Sequence, residues 1–194
     1  MRADARKNYD QVLAVARDLL AAGGADASLR DIARTAGVGL GTLYRHFPTR
    51  EALLEALLRT SFDQLTRRAG ELEQSSPTDA ALVSWLREIV AVAHNYSGAI
   101  KSMVAAIEEK ASALHASCIT MKAAGTRLLV RAQEEGTARA DIDGADLFAL
   151  VGALAWVNDQ PALTSRSEHI FEVIAGAILT NQARPAATLT NGCD

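Results

Sequence analysis

Apolar positions recur along this chain at three- and four-residue intervals, the period of helices that bury one face. Val12, Leu13, Ala16, Leu19 and Leu20 make the first stripe and predict a helix from about 5 to 22, stopped by Gly23-Gly24. Leu29, Ile32, Ala33 and Ala36 make a second, short one, and a third helix starts over 39–46. Ala52, Leu53, Ala56, Leu57, Phe62 and Leu65 then predict a long helix from Thr49 to about Leu72, ended by the linker Gln74-Ser75-Ser76-Pro77-Thr78. Further helices are expected at about 78–95, 98–113, 116–136, 143–158 and 165–182, and Arg184 onward is aperiodic and reads as a loose tail.

The stretch from Ser28 to Phe47 carries the most local information. Ser28 can cap the second helix by accepting from a free N–H of its first turn, and Asp31 places negative charge near the positive end of the dipole. The pair makes an imperfect capping box, because Asp is shorter than Glu or Gln. Gly37 can take the positive φ needed where that helix stops, and Val38 plugs the corner. Pro48 disfavours continuation, so the next helix ends at Phe47, and Thr49 caps the one after. Helix, glycine turn, helix is the layout of a helix-turn-helix, whose second helix enters the major groove of DNA. The first helix is expected to pack beneath the pair, since two short helices cannot bury a core alone.

The exposed candidates on the second helix are Leu40, Gly41, Thr42, Tyr44, Arg45 and His46, with Leu43 and Phe47 facing inward. Thr42 can donate to a phosphate or touch a thymine methyl, and Arg45 can pair with guanine through two hydrogen bonds. A side chain at position 41 would stand between helix and groove, which suits glycine. Ser28 completes this front, and Arg6 and Lys7 form either a solvated terminus or an arm that reaches phosphates or the minor groove.

Composition changes the picture in two places. Hydrophobic residues make up 49% of the 194, enough for a sizeable core, while only 5% are aromatic and four are proline, which favours helices over strands. The net charge of −3 argues against a nucleic-acid partner until it is divided. Residues 1–68 hold 11 Lys and Arg against 8 Asp and Glu, whereas residues 69–194 hold 9 against 15, so the basic surplus lies with the helix-turn-helix. Cys118 and Cys193 have no metal-type spacing and fit a reducing cytoplasm; no apolar run approaches a membrane span.

IARTAGVGLGTLYRHFPTREALL, residues 32–54, resembles the tetracycline-repressor (TetR) family of bacterial transcription regulators. The Ile-Ala pair, Ala-Gly-Val at the turn, Gly-Thr-Leu-Tyr, His-Phe and Arg-Glu-Ala-Leu-Leu carry the resemblance, which covers the first third of the chain. It implies that Tyr44 and His46 hold the DNA backbone, that Arg50 holds a phosphate, and that Arg30 is placed where related proteins sometimes reach a base. It also implies that the last two helices pair with their copies in a homodimer. Val151, Leu154, Ala155, Ile170, Val173, Ile174 and Ala177 are the candidate contacts, with Ala149, Gly152, Ala153, Ala175 and Gly176 allowing close approach.

The expected fold is therefore all-α. An N-terminal three-helix helix-turn-helix DNA-binding domain (1–48) is followed by a connector helix (49–74), a C-terminal ligand-binding and dimerisation domain (75–183) and a tail (184–194). Trp85, His94, Tyr96, Met103, Met121, Phe148 and Trp156 are candidates for lining a small-molecule site, although aromatics and methionines at helical spacing are more often plain core. The expected partners are a double-stranded palindromic operator and an apolar or amphipathic effector; no cofactor, metal or membrane is expected. A regulator controlled by a protein partner is the alternative. An enzyme is disfavoured because no phosphate loop, paired-carboxylate motif, nucleophile elbow or metal spacing is present, and His115 with Cys118 lacks a third ligand.

Overall fold

The computed structural model describes residues 2–21 and 28–180; the expected stop at Gly23-Gly24, the end of the last predicted helix and the tail lie outside the described residues. The chain forms α1 (Arg2–Ala21), α2 (Leu29–Thr35), α3 (Leu40–His46), α4 (Arg50–Ser75), α5 (Thr78–Asn95), α6 (Ser97–Ser102), α7 (Val104–Glu108), α8 (Ala113–Glu134), α9 (Gly144–Asn158) and α10 (Ser167–Ile178), with one 3-10 turn at Thr164–Arg166. Among the described residues no helix is long and apolar enough to cross a membrane.

The first three helices pack around the start of α4, burying Val12, Ala16, Ile32, Ala33, Leu43 and Phe47 with Leu53 and Leu57. Tyr9 of α1 stacks on Phe47 with ring centroids 4.9 Å apart, so the first helix is the expected support. The second core is a bundle of α4, α5, α8 and α9, with α10 against α9. Phe62, Leu65, Ala69 and Leu72 carry the stripe of α4 into that bundle. At 26 residues α4 is about 39 Å long, enough to belong to both cores.

At the centre of the bundle Trp85 is fully buried. Its indole N–H donates to the Leu65 carbonyl on α4 at 2.9 Å, and Phe148 meets its ring edge-on at 6.1 Å. Gly125 of α8 makes the space, because a Cβ there would lie 2.3 Å from the indole ring. Ion pairs tie the outer faces together: Arg68 to Glu88 at 2.9 Å between α4 and α5, and Arg87 to Glu168 and Glu172 between α5 and α10. The Arg87 guanidinium also lies over the Phe171 ring at 4.2 Å.

Three parts differ from the expectation. The helix expected over 98–113 is divided into α6 and α7, because Met103 leaves helical dihedrals (φ −105°, ψ 9°) and Glu109 is extended (ψ 106°). Local side-chain bonds compete with the longer helix there. The Ser102 hydroxyl donates to the Ala99 carbonyl at 2.9 Å, and Ser112 caps α8 by accepting from the His115 N–H at 3.1 Å. That cap starts α8 at Ala113, earlier than the expected 116. The second difference is a short antiparallel pairing of Ala138 with Leu179, held by Arg139 N–H to Ile178 and Thr180 N–H to Thr137, both at 2.9 Å. It pins the end of α10 beside the loop after α8. The linker is also shorter than expected, since α4 continues through Ser75.

Replacing Gly125 with Val is expected to destabilise the fold by about 2 kcal/mol, since overpacking outweighs the gain in helix propensity. Chemical denaturation measures this, and near-ultraviolet circular dichroism should register the displaced indole.

Candidate nucleic-acid interface

The geometry of the helix-turn-helix follows from its two ends. Ser28 is extended (φ −76°, ψ 153°) and its Oγ accepts from the Asp31 N–H at 3.1 Å, while its hydroxyl donates to the Asp31 carboxylate at 2.6 Å. Asp31 thus bonds the cap hydroxyl, whereas at the start of α9 Asp146 accepts from the Asp143 cap N–H at 3.1 Å and completes a capping box. The Ser28 hydrogen bond, with the Arg34 guanidinium at 3.1 Å, holds the Asp31 carboxyl below its ordinary range against a smaller opposing effect of burial. At the other end Gly37 takes φ +64°, its N–H donates to Arg34, and the Val38 N–H donates to Ala33. These two bonds are a Schellman closure, which only a residue tolerant of positive φ makes without strain. Gly136 closes α8 in the same way at φ +72°.

The closure aims α3. Leu43 and Phe47 are buried on its inner side, whereas Gly41, Tyr44 and Arg45 are exposed, Tyr44 at 47%. Leu40, Thr42 and His46 are half-buried at the margins of that face. A Cβ added at Gly41 would meet nothing within 4 Å, so the outer face is open at that point. Arg50 is the first residue of α4, whose cap Thr49 accepts from the Ala52 N–H at 3.1 Å. Arg30 on α2 and Lys7 on α1 are exposed. Tyr9, absent from the sequence-based candidates, meets the His46 ring edge-on at 5.8 Å while stacking on Phe47. It therefore sets where the end of α3 lies. Its place one turn before Val12 and Leu13 on the α1 stripe was the available signal.

The ligand candidates do not converge in one place. Trp85, Phe148 and Met121 lie in the bundle core, His94 bonds Asp159 at 2.9 Å between the ends of α5 and α9, and Met103 is half-buried between α6 and α7. Trp156 stands 59% exposed, while Tyr96 is buried between α5 and α6 against α4. His115 is engaged by the Ile107 carbonyl at 2.7 Å, and burial pushes the Cys118 thiol up.

The dimer candidates divide into two faces. Val151, Leu154 and Ala155 are buried within the bundle, and Ile170 and Ile174 are half-buried. Val173 and Ala177 are exposed, as are Ala149, Gly152, Ala153 and Trp156 at helical spacing on α9.

A helix-turn-helix carried by one long helix into an all-helical bundle is the layout of a DNA-binding regulator. Comparison with known proteins agrees over both halves. The model for bacterial regulatory proteins of the tetR family matches residues 12–57, and the model for the C-terminal domain of SbtR-like transcriptional regulators matches 77–176. The chain belongs to the TetR family; it is a DNA-binding transcriptional regulator and not an enzyme. It is 30% identical over 156 residues to the HTH-type transcriptional repressor KstR2 of Rhodococcus jostii, covering 76% of each chain. The TetR transcriptional regulator SCO0520 of Streptomyces coelicolor superimposes with a TM-score of 0.71 at 33% identity, over 88% of this chain and 98% of that one. The fold is shared with the regulator LfrR of Mycolicibacterium smegmatis, crystallised in complex with proflavine, at a TM-score of 0.64 and 24% identity over 90% of this chain and 98% of that one.

Replacing Ser28 with Ala removes the cap of α2 and is expected to lower stability by about 1 kcal/mol. The Asp31 carboxyl, released from the hydroxyl, should titrate at higher pH; carbon-detected NMR of that side chain measures the change.

Proposed function

We propose that the chain is a repressor that binds a palindromic operator as a homodimer in the cytoplasm and is released by a small apolar or amphipathic effector. One observation carries this reading: the exposed polar face of α3 ends at the cap of α4, and α4 continues into the C-terminal core. Residues 1–48 then form the DNA-binding unit, 49–74 the connector, 75–183 the regulatory and dimerisation unit, and 184–194 a tail. Tyr44 and His46 hold the DNA backbone beside Arg50, Ser28 and Lys7. Leu40, Gly41, Thr42 and Arg45 face the groove, with Arg30 at its edge. The similarity to KstR2, itself a repressor, supports the direction of control. The proflavine complex of LfrR supports a small-molecule effector within this fold.

Dimerisation follows from the half-site problem. One helix-turn-helix reads only a short segment, and a two-fold dimer places two recognition helices one DNA turn apart, about 34–36 Å. The exposed stripe of Ala149, Gly152, Ala153 and Trp156, with Val173 and Ala177, is the face that a second copy covers. Effector binding shifts a two-state equilibrium by its differential affinity, swinging α4 and spoiling that spacing.

A Tyr44→Ala, Arg45→Ala double variant should keep its fold and lose at least about tenfold in specific operator affinity, measured on selected genomic fragments at fixed salt. Undiminished, equally specific binding would remove the groove assignment. Val173→Glu should leave the monomer folded but place a charge in the covered face. Sedimentation is expected to show a monomer, and a variant that remains dimeric would rule out this interface.

A further inference from the structure

A cleft of about 180 Å³ lies where α1 crosses α4, with Tyr96 from the α5–α6 junction beneath it. Leu13 and Ala14 of α1 and Leu57 of α4 supply its apolar wall, and Ser61 and Gln64 supply polar groups. Tyr96 is only 5% exposed, and its hydroxyl, with the Ser61 hydroxyl beside it, makes no well-formed hydrogen bond among the described residues. Buried hydroxyls are nearly always paired, so an unpaired one beside an open cleft points to a missing acceptor. Burial pushes the Tyr96 phenol up and the Asp18 charge adds to it, with a hydrogen-bonding contact to the Ser61 hydroxyl and the Arg17 charge pulling it part of the way back. At neutral pH it is therefore a proton donor. Arg17 lies at this end of the cleft and meets Asp18 only at 3.5 Å. Asp10, which also lines the cleft, is two turns of α1 away, about 10 Å.

We propose that this cleft binds a small monocarboxylate with a flat or branched apolar body, its carboxylate accepting from the Tyr96 and Ser61 hydroxyls near Arg17. The size supports that class, since a cavity of about 150 Å³ accommodates benzene. Charge bears on the class as well: hydroxyl donors beside the Arg17 guanidinium attract an anion, Asp18 offsets part of that attraction, and Asp10 at the far end disfavours a second carboxylate. The occupant would touch the DNA-binding helices through α1 and the bundle through Tyr96 at the same time. Its effect on operator affinity rests on the regulator reading above; the binding itself does not.

Calorimetric titration of the full chain with benzoate and 3-methylbutanoate, with benzyl alcohol as the neutral counterpart, tests the assignment. Both acids should bind and raise Tm, and benzyl alcohol should bind more weakly. Tyr96→Phe should lose at least about tenfold in affinity for the acids, the worth of one charge-assisted hydrogen bond. Without ligand the same variant should melt no lower than the parent, because it gives up an unpaired hydroxyl. Ala14→Phe, which fills the cleft, should abolish binding. Failure of both acids to bind at millimolar concentration, equal binding of benzyl alcohol, undiminished binding by Tyr96→Phe, or a lowered Tm for that variant would each overturn the proposal. Operator binding is measured in parallel without acid. Its loss would sink the regulator reading, whereas normal operator binding beside a failed titration would sink the cleft alone.

Discussion

The apolar stripe of α4 is buried in two cores at once. Leu53, Ala56 and Leu57 are shared with α1–α3, and Phe62, Leu65, Ala69 and Leu72 with the bundle. Neither core is complete without it, since α1 with two short helices buries too little surface alone and the bundle would lose one wall. The hydrogen bond from Trp85 to the Leu65 carbonyl holds the two halves in register from the C-terminal side. The Thr49 cap and the stacked rings of Tyr9 and Phe47 do so from the N-terminal side. One continuous helix thus runs from the helix-turn-helix into the bundle.

That arrangement explains the distribution of polar groups. The exposed surface of α3 and the start of α4 carry the residues suited to phosphates and base edges, and the inner side of α3 has none. The acidic surplus of the C-terminal half is partly used in ties between helices: Arg68 with Glu88, Arg87 with Glu168 and Glu172, Arg127 with Glu73. These exposed pairs contribute little each. Their role is to fix which faces meet, while burial of Trp85, Leu128, Leu147 and their neighbours supplies the stability.

The helix-turn-helix was legible because its signals are local. A cap at Ser28, a positive-φ glycine at position 37, Pro48 and a cap at Thr49 each act within four residues, and the structure reproduces all of them. The division of 98–113 was not legible, because apolar spacing there suits a helix while the Ser102 and Ser112 hydroxyls compete for the backbone. The Ala138–Leu179 pairing was hidden for another reason: it joins segments some forty residues apart and has no alternation to announce it.

The sequence by itself determined the all-helical class, the recognition helix with its inner and outer faces, and the long connector, since helical period and capping are properties of short segments. Tertiary structure decided which apolar residues are core and which are surface. Trp85 and Trp156 look alike in the chain, yet one is sealed against Gly125 and the other lies on the outer face of α9. Likewise Leu154 and Val173 belong to similar stripes but face opposite sides of their helices' packing. Tyr96 reads as another core aromatic until α1 and α4 are placed around it and its hydroxyl is left without a well-formed hydrogen bond. Burial is a property of what surrounds a residue, and those surroundings come from distant parts of the chain.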